Sequence, residues 1–131
     1  MGLNVLAVDD SSTVRAILAK ALRVSGFDVS RFVEASRGDE ALRMLREDRF
    51  DLVFCDLNMP GMTGYELVAA LRKEGLLGAG AVVVVSSIGN AAALQELKDQ
   101  GVRGYLRKPV RSEQLRQVVN HVLGGTHELR A

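Results

Sequence analysis

The chain has 131 residues, of which 47% are hydrophobic and 25% are charged, and its net charge at pH 7 is +1. These proportions are those of a single ordinary globular domain, and they argue against disorder, collagen-like repeats, coiled coils and a dedicated nucleic-acid binder. The longest apolar run, residues 81–85, is too short to insert into a membrane, the N-terminus carries no secretory signal, and a single cysteine fits a reducing cytoplasm.

Five short apolar runs divide the chain, and each predicts a β-strand. They cover residues 5–8, 29–33, 52–55, 81–85 and 102–106. The first, third and fourth runs are almost wholly apolar, which is typical of strands buried on both faces of a parallel sheet. Each run is followed by a segment that indicates a helix, and the apolar spacing is clearest in the last of them, at Leu115, Val118, Val119 and Val122.

Two helix starts carry the spacing of a capping box. One places Ser36 three residues before Asp39, and the other places Thr63 three residues before Glu66. In this motif the hydroxyl of the first residue caps the helix and the acidic residue reaches back to the cap. We therefore predict that Ser36 and Thr63 are the caps of the second and third helices.

A strand followed by a helix, repeated five times, predicts the α/β class. Such a chain forms a doubly wound, open parallel sheet with helices on both faces, and the common strand order for five units is 2-1-3-4-5, which is flavodoxin-like. Five units use nearly the whole chain. We therefore predict one domain over residues 1–124, followed by a frayed C-terminal tail over residues 125–131.

Acidic residues follow the first and third predicted strands. Asp9 and Asp10 come directly after the first strand, and Asp56 ends the third. In the predicted order these strands are neighbours, so the three carboxylates converge at the edge where open parallel sheets bind ligands. Carboxylates this close repel one another unless a cation joins them, and an all-oxygen set without His or Cys suits Mg²⁺.

Two further polar residues are predicted to lie near this acidic group. Ser86 ends the fourth strand and Lys108 follows the fifth. Metal, ammonium and hydroxyl together form a clamp for the oxygens of a transferring phosphoryl group, and a carboxylate nucleophile would then give an aspartyl phosphate. Each residue alone has a simpler explanation, such as a helix cap for the serine or a solvated surface position for the lysine. Only their joint occurrence favours a site.

Four stretches of sequence also match a known pattern: VDDSS at 8–12, DLNMPGMTG at 56–64, VSS at 85–87 and YLRKP at 105–109. On these motifs the chain resembles the receiver domains of bacterial two-component response regulators, in particular stand-alone, CheY-like members, from residue 3 to about residue 123. The resemblance implies a cytoplasmic, phosphorylation-dependent signalling switch, with chemotaxis as one candidate pathway.

The resemblance also implies partners and an activity. A sensor histidine kinase or a phosphotransfer protein is expected to donate the phosphoryl group, and the surface of helix 4, strand 5 and helix 5 is expected to change shape. A downstream protein, which the sequence does not identify, would respond to that change. The chain would catalyse its own phosphotransfer and autodephosphorylation without being a turnover enzyme, and it would bind no nucleic acid directly.

For the metal and the phosphoryl group, the resemblance implies a role for each residue. Asp56 is the expected phosphoacceptor, and it is expected to bind Mg²⁺ together with Asp10 and the backbone carbonyl of Asn58. Asp9 is expected to act mainly through a metal-bound water. Asn58 and Ser87 flank the site at positions that tune dephosphorylation in the family.

The remaining roles concern the switch. Ser86 is expected to hydrogen-bond the phosphoryl group and Lys108 to pair with it, while Tyr105 moves inward when the hydroxyl of Ser86 is drawn to the phosphate. The bond between Lys108 and Pro109 is expected to be cis, which is inexpensive only before proline. The chain departs from the family at Ser86, where threonine is more frequent, and at Thr63, where relatives often carry aspartate.

The same residues also occur in two other classes of protein. A phosphatase that forms an aspartyl phosphate needs a second aspartate at the position of Asn58, and a flavodoxin-like electron carrier needs aromatic residues to hold its flavin, whereas this chain has no Trp and few aromatics. Two alternatives stay open. One is a receiver-fold interaction module that acts without phosphorylation, and the other is the receiver fragment of a longer DNA-binding regulator.

Overall fold

The structure, a computed structural model, describes residues 2–87 and 90–124. Within them a single parallel sheet runs in the order β2-β1-β3-β4-β5. Its strands are β1 (Leu3–Val8), β2 (Val29–Ala35), β3 (Leu52–Asp56), β4 (Ala81–Ser86) and β5 (Gly104–Arg107). The helices are α1 (Ser12–Val24), α2 (Gly38–Glu47), α3 (Gly64–Lys73), α4 (Ala91–Gln100) and α5 (Ser112–Val122), with a short 3-10 helix at Leu77–Ala79 before β4. The predicted fold class and strand order are confirmed, whereas the predicted tail lies outside the described residues.

The hydrophobic core has two halves, one on each face of the sheet. Alternate residues of a strand point to opposite faces, so Leu6 and Val8 of β1 enter one half while Val5 and Ala7 enter the other. The first half is closed by α2, α3 and α4, and the second by α1 and α5. Strands β3 and β4 are buried along their whole length. The sheet therefore provides a rigid base for the residues at its carboxyl edge.

The start of β5 differs from the sequence prediction. The predicted strand began at residue 102, but β5 begins at Gly104. The backbone N–H of Val102 donates to the carbonyl of Leu97 in α4, so Val102 closes the end of that helix. The sequence alone does not distinguish an apolar residue that closes a helix from one that begins a strand, so the predicted strand started two residues too early.

The two predicted capping boxes have different outcomes. The box at Thr63 is confirmed, because its hydroxyl accepts from the N–H of Glu66 and the Glu66 carboxylate accepts from the N–H of Thr63. The box at Ser36 is wrong. Helix α2 begins one residue later, with Arg37 as a cap that makes no side-chain hydrogen bond, and the N–H of Ser36 donates to Glu40.

The structure also assigns the cap of α4, which follows a loop containing two residues outside the described part. Asn90 is the cap, and its side chain accepts from the N–H of Ala93. The serines at the end of β4 therefore do not cap this helix. Among the described residues, no helix combines the length and the apolar character that crossing a membrane would require.

Candidate functional site

The three predicted acidic residues meet at the carboxyl edge of the sheet. β1 and β3 are neighbours with Val8 opposite Cys55, so Asp9 and Asp56 emerge side by side. Each of Asp9, Asp10 and Asp56 offers a carboxylate oxygen, and these three oxygens lie within 4.8 Å of one another. Asp9 and Asp56 are buried, whereas Asp10 is exposed. The site thus combines two carboxylates in a restricted space with a third at its open side.

Lys108 brings a positive charge to this group from the end of β5. Its Nζ lies 3.1 Å from Oδ2 of Asp9 and 3.5 Å from Oδ1 of Asp56. The bond between Lys108 and Pro109 is cis, the form that the family resemblance implies. Burial works against the ammonium ion, but the contacts with Asp9 and then with Asp56 outweigh it and raise the pKa of Lys108 above its ordinary value.

One lysine does not neutralise the site. Burial, reinforced by repulsion from Asp9, raises the pKa of Asp56 above its ordinary value, although Lys108 and the N–H of Asn58 act in the opposite direction. In addition, Oδ2 of Asp9 is buried, and it faces the ammonium of Lys108 at 3.1 Å. A buried carboxylate oxygen of this kind is costly unless a cation or a donor faces it.

The acidic group has the donor atoms and the charge that a divalent cation requires. The three side chains are oxygen donors, no His or Cys accompanies them among the described residues, and the site retains excess negative charge. Mg²⁺ prefers such ligands and binds through one or a few carboxylates while keeping several waters. The residues present therefore fit Mg²⁺. Coordination by the backbone carbonyl of Asn58 stays a prediction.

The backbone around Asp56 is held by the start of α3. The N–H of Asn58 donates to Oδ1 of Asp56 at 3.3 Å, and the N–H of Gly64 donates to the carbonyl of Leu57 at 3.0 Å. A Cβ atom on Gly64 would lie 2.2 Å from the carbonyl oxygen of Asp56, so only glycine permits this approach. Sequence reasoning placed Gly64 inside a capping motif and missed this role. A glycine in the first turn of a helix, where it is a poor helix former, was the available signal.

Ser86 and Tyr105, the predicted switch residues, lie next to each other. Ser86 is buried at the end of β4, and its backbone carbonyl accepts from the N–H of Lys108 at 3.0 Å and from the hydroxyl of Tyr105 at 3.4 Å. Tyr105 is half-buried and lines a cavity of about 360 Å³ between α4 and β5, together with Ala91 and Leu94. The structure thus connects the site to the surface that the resemblance implies for partner binding.

The two predicted tuning positions lie at the rim. Asn58 and Ser87 are both exposed, on the loops that follow β3 and β4. Water therefore reaches the surroundings of Asp56 from the side on which Asn58 and Ser87 lie.

Cys55, the residue before Asp56, has no part in this chemistry. Its side chain lies in the first half of the core. Burial, followed by repulsion from Asp56 and Asp9, raises the pKa of the Cys55 thiol to about 12. The thiol is therefore protonated at neutral pH and acts as a small apolar residue.

Sequence reasoning also missed Arg15. Its guanidinium donates through Nη1 to the backbone carbonyl of Asp9 and pairs through Nε with Oε1 of Glu34 at 2.8 Å. The available signal was a basic residue less than two helical turns after the two aspartates. By itself this signal is weak, because a lone arginine in a helix is most often solvated.

Comparison with known proteins gives concordant results. The family model described as "Response regulator receiver domain" matches residues 5–120. The chain is 36% identical over 120 residues to the chemotaxis protein CheY of Pseudomonas aeruginosa, covering 92% of this chain and 95% of that protein. It is 38% identical over 125 residues to the two-component response regulator ARR14 of Arabidopsis thaliana, but it spans only 31% of that longer protein. The solved structure of Vibrio cholerae CheY4 superposes with a TM-score of 0.81 at 33% identity, covering 94% of this chain and all of that one.

Proposed function

The chain belongs to the response regulator receiver domain family, and from this premise we propose that it is a signalling switch that accepts a phosphoryl group on Asp56. Phosphorylation-dependent switching is the general function of the family, and receiver domains are signalling proteins rather than classical enzymes. The observation that carries the proposal for this chain is the group of three carboxylate oxygens within 4.8 Å of one another, with Lys108 at 3.5 Å from Asp56.

The proposed transfer uses Asp56 as the nucleophile. A carboxylate oxygen attacks the phosphorus of a phosphohistidine on a sensor kinase or a phosphotransfer protein, forming an O–P bond. The N–P bond breaks, its electron pair stays on the imidazole nitrogen, and that nitrogen takes up a proton. Mg²⁺, when bound by Asp10, Asp56 and the Asn58 carbonyl, supplies positive charge that offsets the repulsion between the carboxylates and the incoming phosphoryl oxygens.

Lys108 and Ser86 are assigned to the phosphoryl group itself. The ammonium of Lys108 already lies between Asp9 and Asp56, so a new anionic group on Asp56 competes with Asp9 for it. Ser86 lies on β4, the strand beside β3, and its hydroxyl is a donor of the right kind for a phosphoryl oxygen. Reversal requires attack of water on the acyl phosphate, and the exposed Asn58 and Ser87 control the approach of that water.

The signal is proposed to pass through Tyr105. Movement of Ser86 toward the phosphoryl group displaces the carbonyl that Tyr105 contacts, and the tyrosine ring repacks toward the core. The surface of α4, β5 and α5 changes as a result, and a cytoplasmic target protein that prefers one state shifts the equilibrium by no more than its differential affinity.

Mass spectrometry after treatment with acetyl phosphate and Mg²⁺ tests the proposal. We expect one phosphoryl adduct on the wild type, no adduct on Asp56→Asn, and an unchanged adduct on Asp28→Asn, a control at an exposed loop aspartate. Hydroxylamine, which cleaves acyl phosphates, should remove the adduct. A wild type that never gains the adduct would leave the non-phosphorylated interaction module as the better account. An adduct that persists in Asp56→Asn would overturn the assignment of the acceptor.

A further inference from the structure

Arg15 connects its own helix with the β1–α1 connection and with strand β2. It belongs to α1, only 15% of its side chain is exposed, and it contacts the β1–α1 connection through the Asp9 carbonyl and the edge strand β2 through Glu34. Glu34 stands opposite Ala7 in the pairing of β1 with β2. The guanidinium thus bridges the end of β1 and the end of β2 from a helix that packs on the sheet.

The peptide between Asp9 and Asp10 is held by contacts on each side. The N–H of Asp9 donates to the carbonyl of Ala35 at 3.0 Å, and Oδ1 of Asp9 accepts from the N–H of Ser11 at 2.9 Å. The carbonyl of Asp9 precedes the helix, and Arg15 satisfies it. With both sides held, the backbone from which Asp9 and Asp10 present their carboxylates is also held.

We infer that Arg15 is a positioning residue for the divalent cation: by holding the Asp9 carbonyl, it orients the carboxylates of Asp9 and Asp10 toward the ion. The inference rests on the proposed function, because it assumes that Mg²⁺ binds at the acidic group. Two observations besides the acidic cluster support it. Arg15 is largely buried although it carries a charge, and its guanidinium donates to the backbone carbonyl of Asp9, a residue whose own carboxylate belongs to the acidic group.

The sign of the effect separates positioning from simple electrostatics. If Arg15 acted only as a nearby positive charge, its removal would make the site more negative and Mg²⁺ would bind more tightly. If Arg15 orients the ligands, its removal loosens them and Mg²⁺ binds more weakly. Groups that orient metal ligands through hydrogen bonds typically affect metal affinity by about 10–100-fold when they are replaced.

Calorimetric titration of the full chain with MgCl₂, without any phosphodonor, tests the inference. Arg15→Met keeps the apolar stem and removes the donors, and we expect the Kd for Mg²⁺ to rise by about tenfold. Arg31→Ala is the control. Arg31, on β2, pairs with the carboxylate of Asp48 at 2.7 Å, just as Arg15 pairs with Glu34, but this pair does not include Asp9. We expect its Kd to stay within about twofold of the wild type, as befits a surface pair.

Arg15→Lys keeps the charge and settles the case in which the methionine variant does not fold. A single ammonium cannot reproduce the planar fork that reaches Asp9 and Glu34 together, so we expect the Kd for Mg²⁺ to rise with this variant as well. Urea unfolding without Mg²⁺ shows how much stability each variant loses independently of the metal. If the lysine and methionine variants bind Mg²⁺ as tightly as the wild type, or more tightly, the inference is overturned while the proposed function stands. If the wild type binds no Mg²⁺, both fall together.

Discussion

Gly64 offers the most direct test of how the α3 start shapes the candidate site. Replacing it by alanine adds one methyl group, at a point 2.2 Å from the carbonyl oxygen of Asp56 and 2.7 Å from Cα of Leu57. Ordinary van der Waals contact begins at 3.4 Å, so the new atom overlaps the backbone by more than 1 Å. Because both neighbours are backbone atoms, no side-chain rotation can relieve the overlap.

Two effects of opposite sign decide the size of the change. Alanine is the better helix former, which favours the variant by about 0.5–1 kcal/mol. Forcing an extra group into a packed site typically costs about 1–3 kcal/mol, and a clash with backbone belongs at the upper end of that range. We therefore expect Gly64→Ala to lower the free energy of unfolding by about 2 kcal/mol, a loss of roughly 1 M in the urea midpoint.

The assay is urea unfolding followed by far-ultraviolet circular dichroism, with the rate of acetyl phosphate labelling measured on the folded protein. Gly78→Ala is the matched control, since a Cβ on Gly78 meets nothing within 4 Å, and we expect its stability to change by less than about 0.5 kcal/mol. The labelling rate should fall for Gly64→Ala alone, because the strain is relieved by moving the backbone of Asp56. A Gly64→Ala variant as stable as the wild type, with unchanged labelling, would refute the argument.

Three further predictions concern single contacts. Thr63→Ala should lower the free energy of unfolding by about 1 kcal/mol in urea because it removes a helix cap, whereas Ser36→Ala should change it by less than about 0.5 kcal/mol; equal losses would contradict the assigned caps. The thiol of Cys55, with a pKa of about 12, should react with a thiol reagent at pH 8 only as fast as the protein unfolds, and rapid labelling of the native protein would show that the burial is wrong. Because the pKa of Asp56 is raised in the folded state, ionisation of this carboxyl destabilises the protein once the pH exceeds the pKa of the unfolded chain. Asp56→Asn should therefore be more stable than the wild type at pH 7 without Mg²⁺, and the difference should shrink as the pH falls toward 4. Urea titrations that show the same difference at both pH values would contradict this reasoning.

The strand order and the meeting of the acidic residues were predictable from the sequence. A strand buried on both faces must be apolar at nearly every position, so runs such as residues 81–85 are recognisable from the sequence alone. Once the runs are ordered, their carboxyl ends share one edge, and Asp9, Asp10 and Asp56 follow directly.

The details that escaped prediction depend on contacts between distant parts of the chain. The bridge from Arg15 to Glu34 joins residues 19 positions apart, and nothing local marks it. The cap spacing at Ser36 is correct in sequence, but α2 starts one residue later, so that Glu40 rather than Asp39 occupies the third helical position. The close approach of Gly64 to Asp56 exists only after α3 has packed. Local patterns indicate which elements form, and tertiary packing fixes where they begin.

The backbone carbonyl of Ser86 accepts hydrogen bonds from two different parts of the protein. The amide of Lys108 and the phenol of Tyr105 both attach to it, one directed toward the acidic edge and the other toward the cavity beside α4. The end of the buried strand β4 is therefore in contact both with the acidic group and with the surface beside α4. In the proposed switch, a shift of this carbonyl would move the backbone of Lys108 and the ring of Tyr105 together, because both residues donate to the same oxygen.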